Sequence, residues 1–139
     1  GPRQDPSSPY SGVISIFLDR ALRGEPLVVF GDGEQTRDFV YVGDVARALM
    51  AACLDDTPGG LIANIGTGNA IPINELAKQC LACCDGDVAV THEAERPGEI
   101  KHSVADISHA RATLGFEPQT HITQGLRSTA EWYRRQVQR

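Results

Sequence analysis

No uninterrupted apolar stretch in this chain approaches the roughly 20 residues that a membrane-spanning helix needs. Positive charge is scarce too. Thirteen Lys and Arg stand against eighteen Asp and Glu, for a formal net charge of −5, so no basic field exists to hold a nucleic-acid backbone. Any bound anion must be gripped locally, by a few arginines or backbone N–H groups. The opening Gly1-Pro2-Arg3-Gln4-Asp5-Pro6 has no apolar core of the kind a signal peptide carries. The expectation is a cytoplasmic protein with neither a nucleic-acid nor a membrane partner. Catalytic strings are missing as well: there is no G-x-S-x-G, no H-E-x-x-H and no P-loop. Tyr10, Tyr41 and Tyr133 are followed four residues on by Ile14, Val45 and Val137, so no Tyr-x-x-x-Lys pair is present. The only lysines, Lys78 and Lys101, stand in settings that read as exposed. The residues offer no acid–base centre.

The 139 residues suit one domain spanning 1–139, and 41% hydrophobic with 22% charged residues is ordinary globular composition. Four cysteines raise the question of a disulfide or a metal. Three of them, Cys80, Cys83 and Cys84, fall in a segment whose apolar residues recur at 73, 76, 77, 80, 81 and 84. That is helical spacing, with Cys80 and Cys84 as small core residues. A zinc site would need further ligands such as His92 and His102, and no second C-x-x-C exists.

Asp5-Pro6-Ser7-Ser8-Pro9 reads as a loop, and an apolar stripe then predicts a helix from about Ser11 to Arg23, stopped by Gly24. Leu27–Phe30 has no alternation and reads as a buried strand, ended by the turn Gly31-Asp32-Gly33. Phe39–Val42 is a second predicted strand, with Asp44 as N-cap of a helix from Val45 to about Leu54. Pro58-Gly59-Gly60 turns into a third strand, Leu61–Ile65, before Gly66-Thr67-Gly68. Asn74 is read as the cap of the cysteine helix, which Asp85-Gly86-Asp87 ends. Val88–Val90 is a short strand, Arg96-Pro97-Gly98-Glu99 a loop, and a short helix ends at Gly115. The last helix, about Thr123 to Val137, carries Leu126, Ala130, Tyr133 and Val137 on one face. Strands alternating with helices make the class α/β. So few short strands leave sheet faces to be covered, and the chain reads as the second part of something larger.

Neither glycine turn is a dinucleotide fingerprint. Ile71 stands where the third glycine after Gly66-Thr67-Gly68 is required, and Gly31-Asp32-Gly33 leads into a strand. No NAD pyrophosphate cradle is visible. Arg37 and Arg96 remain, each in a polar loop. Two guanidinium forks suit a diphosphate. Equally, Arg37 could pair with Asp38, and Arg96 with Glu95 or Glu99, as surface ion pairs.

Five segments in order tip the balance toward the diphosphate: Gly1-Pro2-Arg3-Gln4-Asp5-Pro6, the run Gly31 to Val42, Asn64-Ile65-Gly66-Thr67-Gly68, Arg96-Pro97-Gly98-Glu99, and Gly125-Leu126 to Trp132-Tyr133. Over essentially the whole chain they resemble the C-terminal region of extended short-chain dehydrogenase/reductases. The likeness is to UDP-glucose and UDP-N-acetylglucosamine 4-epimerases and their dehydratase and decarboxylase relatives. It implies a substrate-binding part whose partner is a Rossmann domain carrying NAD and a Tyr-x-x-x-Lys pair. NAD there takes hydride from sugar C4 while the tyrosine takes the hydroxyl proton. The resemblance further implies that Arg37 and Arg96 contact the diphosphate of a UDP-sugar and that Glu99 binds the ribose. Val28 and Phe30 would lie against the uracil, with Val13 lining the same pocket. Gly43, where an acidic residue is frequent, and Glu99, where Asp is, depart from the pattern.

With the Rossmann part upstream of Gly1, the expectation is a chain that binds no NAD, is inactive alone, holds UDP-sugars weakly and self-associates through apolar surface. The alternative is an independent, non-catalytic module that binds sugar nucleotides or pairs with another chain.

Overall fold

The computed structural model describes residues 1–5, 12–54 and 60–137. The predicted loop at 5–9, Ser11 as helix start, the Pro58-Gly59 turn and the side chain of Val137 lie wholly or partly outside them. Five helices and five short strands are present among the described residues: α1 (Val13–Arg23), β1 (Leu27–Phe30), β2 (Thr36–Arg37), α2 (Val42–Leu54), β3 (Ile71–Pro72), α3 (Ile73–Cys84), β4 (Val90–Glu93), β5 (His102–Ser103), α4 (Ser108–Leu114) and α5 (Ile122–Val137). The class is α/β. β1 pairs in parallel with β4, while β2 lies between antiparallel β3 and parallel β5.

α1, α3 and α5 pack on one another because each has an apolar stripe at helical spacing. Phe17, Leu18, Leu76, Ala77, Cys80, Leu126, Ala130 and Tyr133 meet Leu27 and Val29 of β1 in the main core. Gly24 ends α1 in the left-handed conformation, its N–H and that of Glu25 returning to the carbonyls of Ala21 and Arg20. Asp85 does the same for α3. A smaller core joins Ala48 of α2, Ala110 of α4 and Phe116.

β1 is not buried on both faces as its unbroken apolar run suggests. Leu27 and Val29 are buried, whereas Val28 and Phe30 are half-buried, because alternate side chains leave a strand on opposite faces. Residues 39–41 do not form the predicted strand: no described strand pairs with them, and Tyr41 instead opens α2, its carbonyl taking the N–H of Asp44 and Val45. Leu61–Ile65 likewise has no ladder partner among the described residues and is not a strand. The strand expected at 88–90 runs from Val90 to Glu93, where β1 pairs with it residue for residue.

Two expected caps act elsewhere. Asp44 lies inside the first turn of α2, fully buried, and accepts the N–H groups of Gln119 and Thr120, the Thr120 hydroxyl and the Arg47 guanidinium. It ties α2 to the start of α5. Asn74 makes no capping bond. Its amide donates to the Asp32 carbonyl and to Glu34, while the first N–H groups of α3 go to the carbonyls of Gln35 and Gly33. Gly33, at φ 75°, is needed there, since a Cβ would strike the Asn74 side chain.

The cysteines are free. Cys80 is buried; Cys84, expected in the core, is half-buried at its edge. Among the described residues no group of three or more His, Cys, Asp or Glu could hold a metal ion, and no helix is long and apolar enough to cross a membrane.

Candidate functional site

An open cleft of about 630 Å³ runs along the exposed face of β1, within the range of pockets that take small molecules. One wall is apolar: Val13 and Ile16 of α1, with Val28 and Phe30 of β1. The rest of the lining includes charged residues, with Arg37 at the end of β2 and Arg96 and Glu99 from the loop after β4. Val13, Val28, Phe30, Arg37, Arg96 and Glu99 are thus brought together by the fold in one cavity. They arrive on four segments: α1, β1, β2 and the loop after β4. The β1–β4 pairing carries Arg96 to Phe30, and the β2–β5 pairing carries Glu99 to Arg37.

Arg96 does not pair with Glu95 or Glu99. Its guanidinium lies over the Phe30 ring, 3.9 Å from the centroid, a cation–π contact that holds the charge over the cleft. Nor does Arg37 pair with Asp38. It donates to Glu99 Oε1 at 2.8 Å and to the carbonyls of Thr36 and Ile100 at 2.8 and 2.6 Å. Asp38 accepts the N–H groups of Thr67, Gly68 and Ala105 and the Thr67 hydroxyl. Gly66 is required beside it, because a Cβ would meet Asp38 Oδ2 and the Ala105 methyl at 2.6 Å.

That network answers whether these residues suit an NAD pyrophosphate. The N–H groups of the Gly66-Thr67-Gly68 turn already bind a carboxylate, and the chain continues into β3 rather than directly into a helix. The turn does not fit the group.

The sequence reading missed Arg20, Gln35 and Glu93, which also line the cleft. Arg20 carried a signal: it lies seven residues after Val13 on the face shared by Ile16 and Phe17. Gln35 carried none. Its buried amide donates to the Phe30 carbonyl at 2.7 Å and fixes the end of β1.

The sequence model of the NAD dependent epimerase/dehydratase family matches residues 1–66. A putative UDP-glucose 4-epimerase of Methanocaldococcus jannaschii is 40% identical over 95% of the chain and 42% of its own length. The crystal structure of Thermotoga maritima UDP-glucose 4-epimerase with UDP-glucose superposes with a TM-score of 0.93 at 39% identity, covering 99% of this chain and 43% of that one. UDP-N-acetylglucosamine 4-epimerase of Methanobrevibacter ruminantium, in complex with UDP-N-acetylmuramic acid, gives 0.90 at 40% identity over 98% and 43%. Sequence and fold match the C-terminal part of UDP-sugar 4-epimerases. The chain spans less than half the length of these relatives. Other relatives are a UDP-N-acetyl-glucosaminuronate decarboxylase and a dTDP-glucose 4,6-dehydratase, so the likeness extends across several sugar-nucleotide reactions. Solved members of the set hold NAD together with their sugar nucleotides.

Proposed function

We propose that the cleft binds the nucleoside diphosphate of a UDP-sugar, as the substrate lobe of a sugar-nucleotide 4-epimerase. The observation that carries this is the shared cavity: Arg37 on β2 and Arg96 on the loop after β4 line one cleft with the apolar Val13, Val28 and Phe30. In this reading the two guanidinium groups take the diphosphate oxygens, Val28 and Phe30 take the base, and Glu99 accepts from ribose hydroxyls. Guanidinium forks for phosphates and a carboxylate for hydroxyls are the pairings these groups form best.

The reading gives this lobe binding and orientation only. NAD supplies reversible hydride removal from the sugar in the whole enzyme, and these 139 residues contain no Tyr-x-x-x-Lys pair. The chain alone is then inactive and leaves NAD unbound, and a Rossmann domain is its partner. A 4,6-dehydratase or decarboxylase parent uses the same lobe, and the relatives that catalyse those reactions support it equally. A stand-alone binding module would share the cleft and differ only in having no catalytic partner.

Titration of the ¹⁵N-labelled chain with UDP tests the binding. Shifts confined to the backbone amides of Val13, 28–30, Arg37, Arg96, Gly98 and Glu99, with affinity weaker than micromolar, are expected. Shifts elsewhere, or none up to millimolar UDP, would remove the proposal. Adding NAD should change nothing.

A further inference from the structure

We propose that Glu99 is a specificity-determining residue: its carboxylate takes the place of a phosphate oxygen on Arg37, and so turns away bare inorganic anions. The proposal rests on the nucleotide-binding reading above and goes beyond it, because it gives Glu99 a role on the arginine rather than only on a sugar hydroxyl.

The geometry supports it in three ways. First, the Arg37 guanidinium is already aimed. Nη1 is held by the carbonyls of Thr36 and Ile100, leaving Nη2 to donate to Glu99 Oε1 at 2.8 Å, and both Arg37 and Glu99 line the cleft. The bond to Glu99 joins one nitrogen to one oxygen, while a phosphate can engage a guanidinium through two parallel bonds. Glu99 is therefore a competitor that a well-placed phosphate can displace.

Second, the charges lining the cleft balance. Arg20, Arg37 and Arg96 face Asp38, Glu93 and Glu99. Asp38 is committed to the 66–68 turn, and Glu93 belongs to the β1–β4 ladder. Glu99 is the carboxylate that sits on an arginine of the cleft. While it does, the field offered to a small anion is weak.

Third, the pair is sheltered enough to matter. The side chains of Arg37 and Glu99 retain 27% and 23% exposure, so solvent screens their attraction less than it would an open surface pair. A ligand that brings neutral hydroxyl donors beside its diphosphate gives Glu99 a new partner as it leaves Arg37. Inorganic pyrophosphate gives it none, and it meets the carboxylate as a like charge.

The test compares UDP with inorganic pyrophosphate, titrated at constant ionic strength into the 139-residue chain, its Glu99→Gln variant and its Glu95→Gln variant. Glu95 removes the same charge from the same loop without touching Arg37. We expect Glu99→Gln to tighten pyrophosphate binding by about fivefold, to tighten UDP binding less, and so to lower the preference for UDP. Glu95→Gln should leave both affinities close to those of the parent. Unchanged or weaker pyrophosphate binding in Glu99→Gln overturns the proposal, as does equal tightening in Glu95→Gln. If UDP still binds the parent chain in those cases, the nucleotide cleft survives without the competitor. If neither ligand binds any of the three proteins, both proposals go.

Discussion

Arg96 rests on the face of Phe30, with its guanidinium carbon 3.9 Å from the ring centroid. β1 and β4 make this contact: their parallel register sets Phe30 beside Glu93, three residues before Arg96. An aromatic platform holds a long side chain in place without neutralising it, so the charge stays available to an anion.

Arg96→Ala should weaken UDP binding by about 30-fold, the loss of roughly 2 kcal/mol expected when a charged group loses its hydrogen-bond donor. Phe30→Leu keeps the apolar wall but removes the ring. It should cost about threefold and show coupling to Arg96→Ala of about 0.5–1 kcal/mol in a double-mutant cycle read by ligand titration. Additive effects of the two changes would mean that the stacking does nothing for binding.

Arg37→Lys should behave much like Arg37→Ala in the same titration. A lysine ammonium is a point charge and cannot hold the carbonyls of Thr36 and Ile100 while presenting a second nitrogen to the cleft. Recovery of parent affinity in the lysine variant would show that charge alone suffices there.

How far the sequence reached is clear from Arg37 itself. Its membership of a cleft with Arg96 and Phe30 was legible through the five segments in order, while its neighbours were not. Sequence proximity suggested Asp38 as its partner, but β2 and β5 pair in parallel and deliver Glu99 from far along the chain. The elements read from periodicity, α1, α3 and α5, stand within one or two residues of expectation, because an apolar stripe is a local property. Strands fared worse. Phe39–Val42 and Leu61–Ile65 have strand composition, yet a strand exists only where a neighbour completes its ladder, and the neighbours of Thr36–Arg37 come from residues 71–72 and 102–103.

Asp44 offers a stability test free of ligand. Burial alone would raise its carboxyl, but the N–H groups of Thr120 and Gln119 and the Arg47 guanidinium outweigh burial and hold it below its ordinary value near 3.8. A depressed folded value means that the stabilisation is present above that ordinary value and is lost as pH falls through the folded one. Asp44→Asn should therefore cost about 2 kcal/mol at pH 7 and flatten the acid limb of a denaturation profile below about pH 4. An unchanged acid limb would mean that these bonds do not distinguish the two protonation states.

The cysteines give the opposite sign. Burial drives the Cys80 thiol far above its ordinary value, and burial with help from Cys83 and Asp85 pushes Cys84 up to about 11 against the opposing pull of Arg134. Thiols raised on folding leave stability intact below their ordinary value near 9, and it declines as pH climbs toward 11. At pH 8 a thiol reagent should modify exposed Cys53 quickly and Cys80 only on unfolding. Rapid modification of Cys80 in the native chain would contradict the packing of α3.

Helix α2 carries the last prediction. Val42, Leu49, Met50 and Leu54 are between 51% and 75% exposed, and Ile62 beyond the helix reaches 89%. Their spacing puts the four helical residues along one side, opposite the side where Ala48 meets Ala110 and Phe116. An exposed apolar surface of this kind favours association, and in the whole-enzyme reading a Rossmann domain covers it. The isolated chain should therefore self-associate as concentration rises, followed by light scattering. Leu49→Glu combined with Met50→Lys should return it to a monomer with little change in melting temperature, since substitutions at such exposed positions usually stay within about 0.5 kcal/mol. A clean monomer for the parent chain at high concentration would count against a covered face on α2, and with it against the proposed docking of a second domain there.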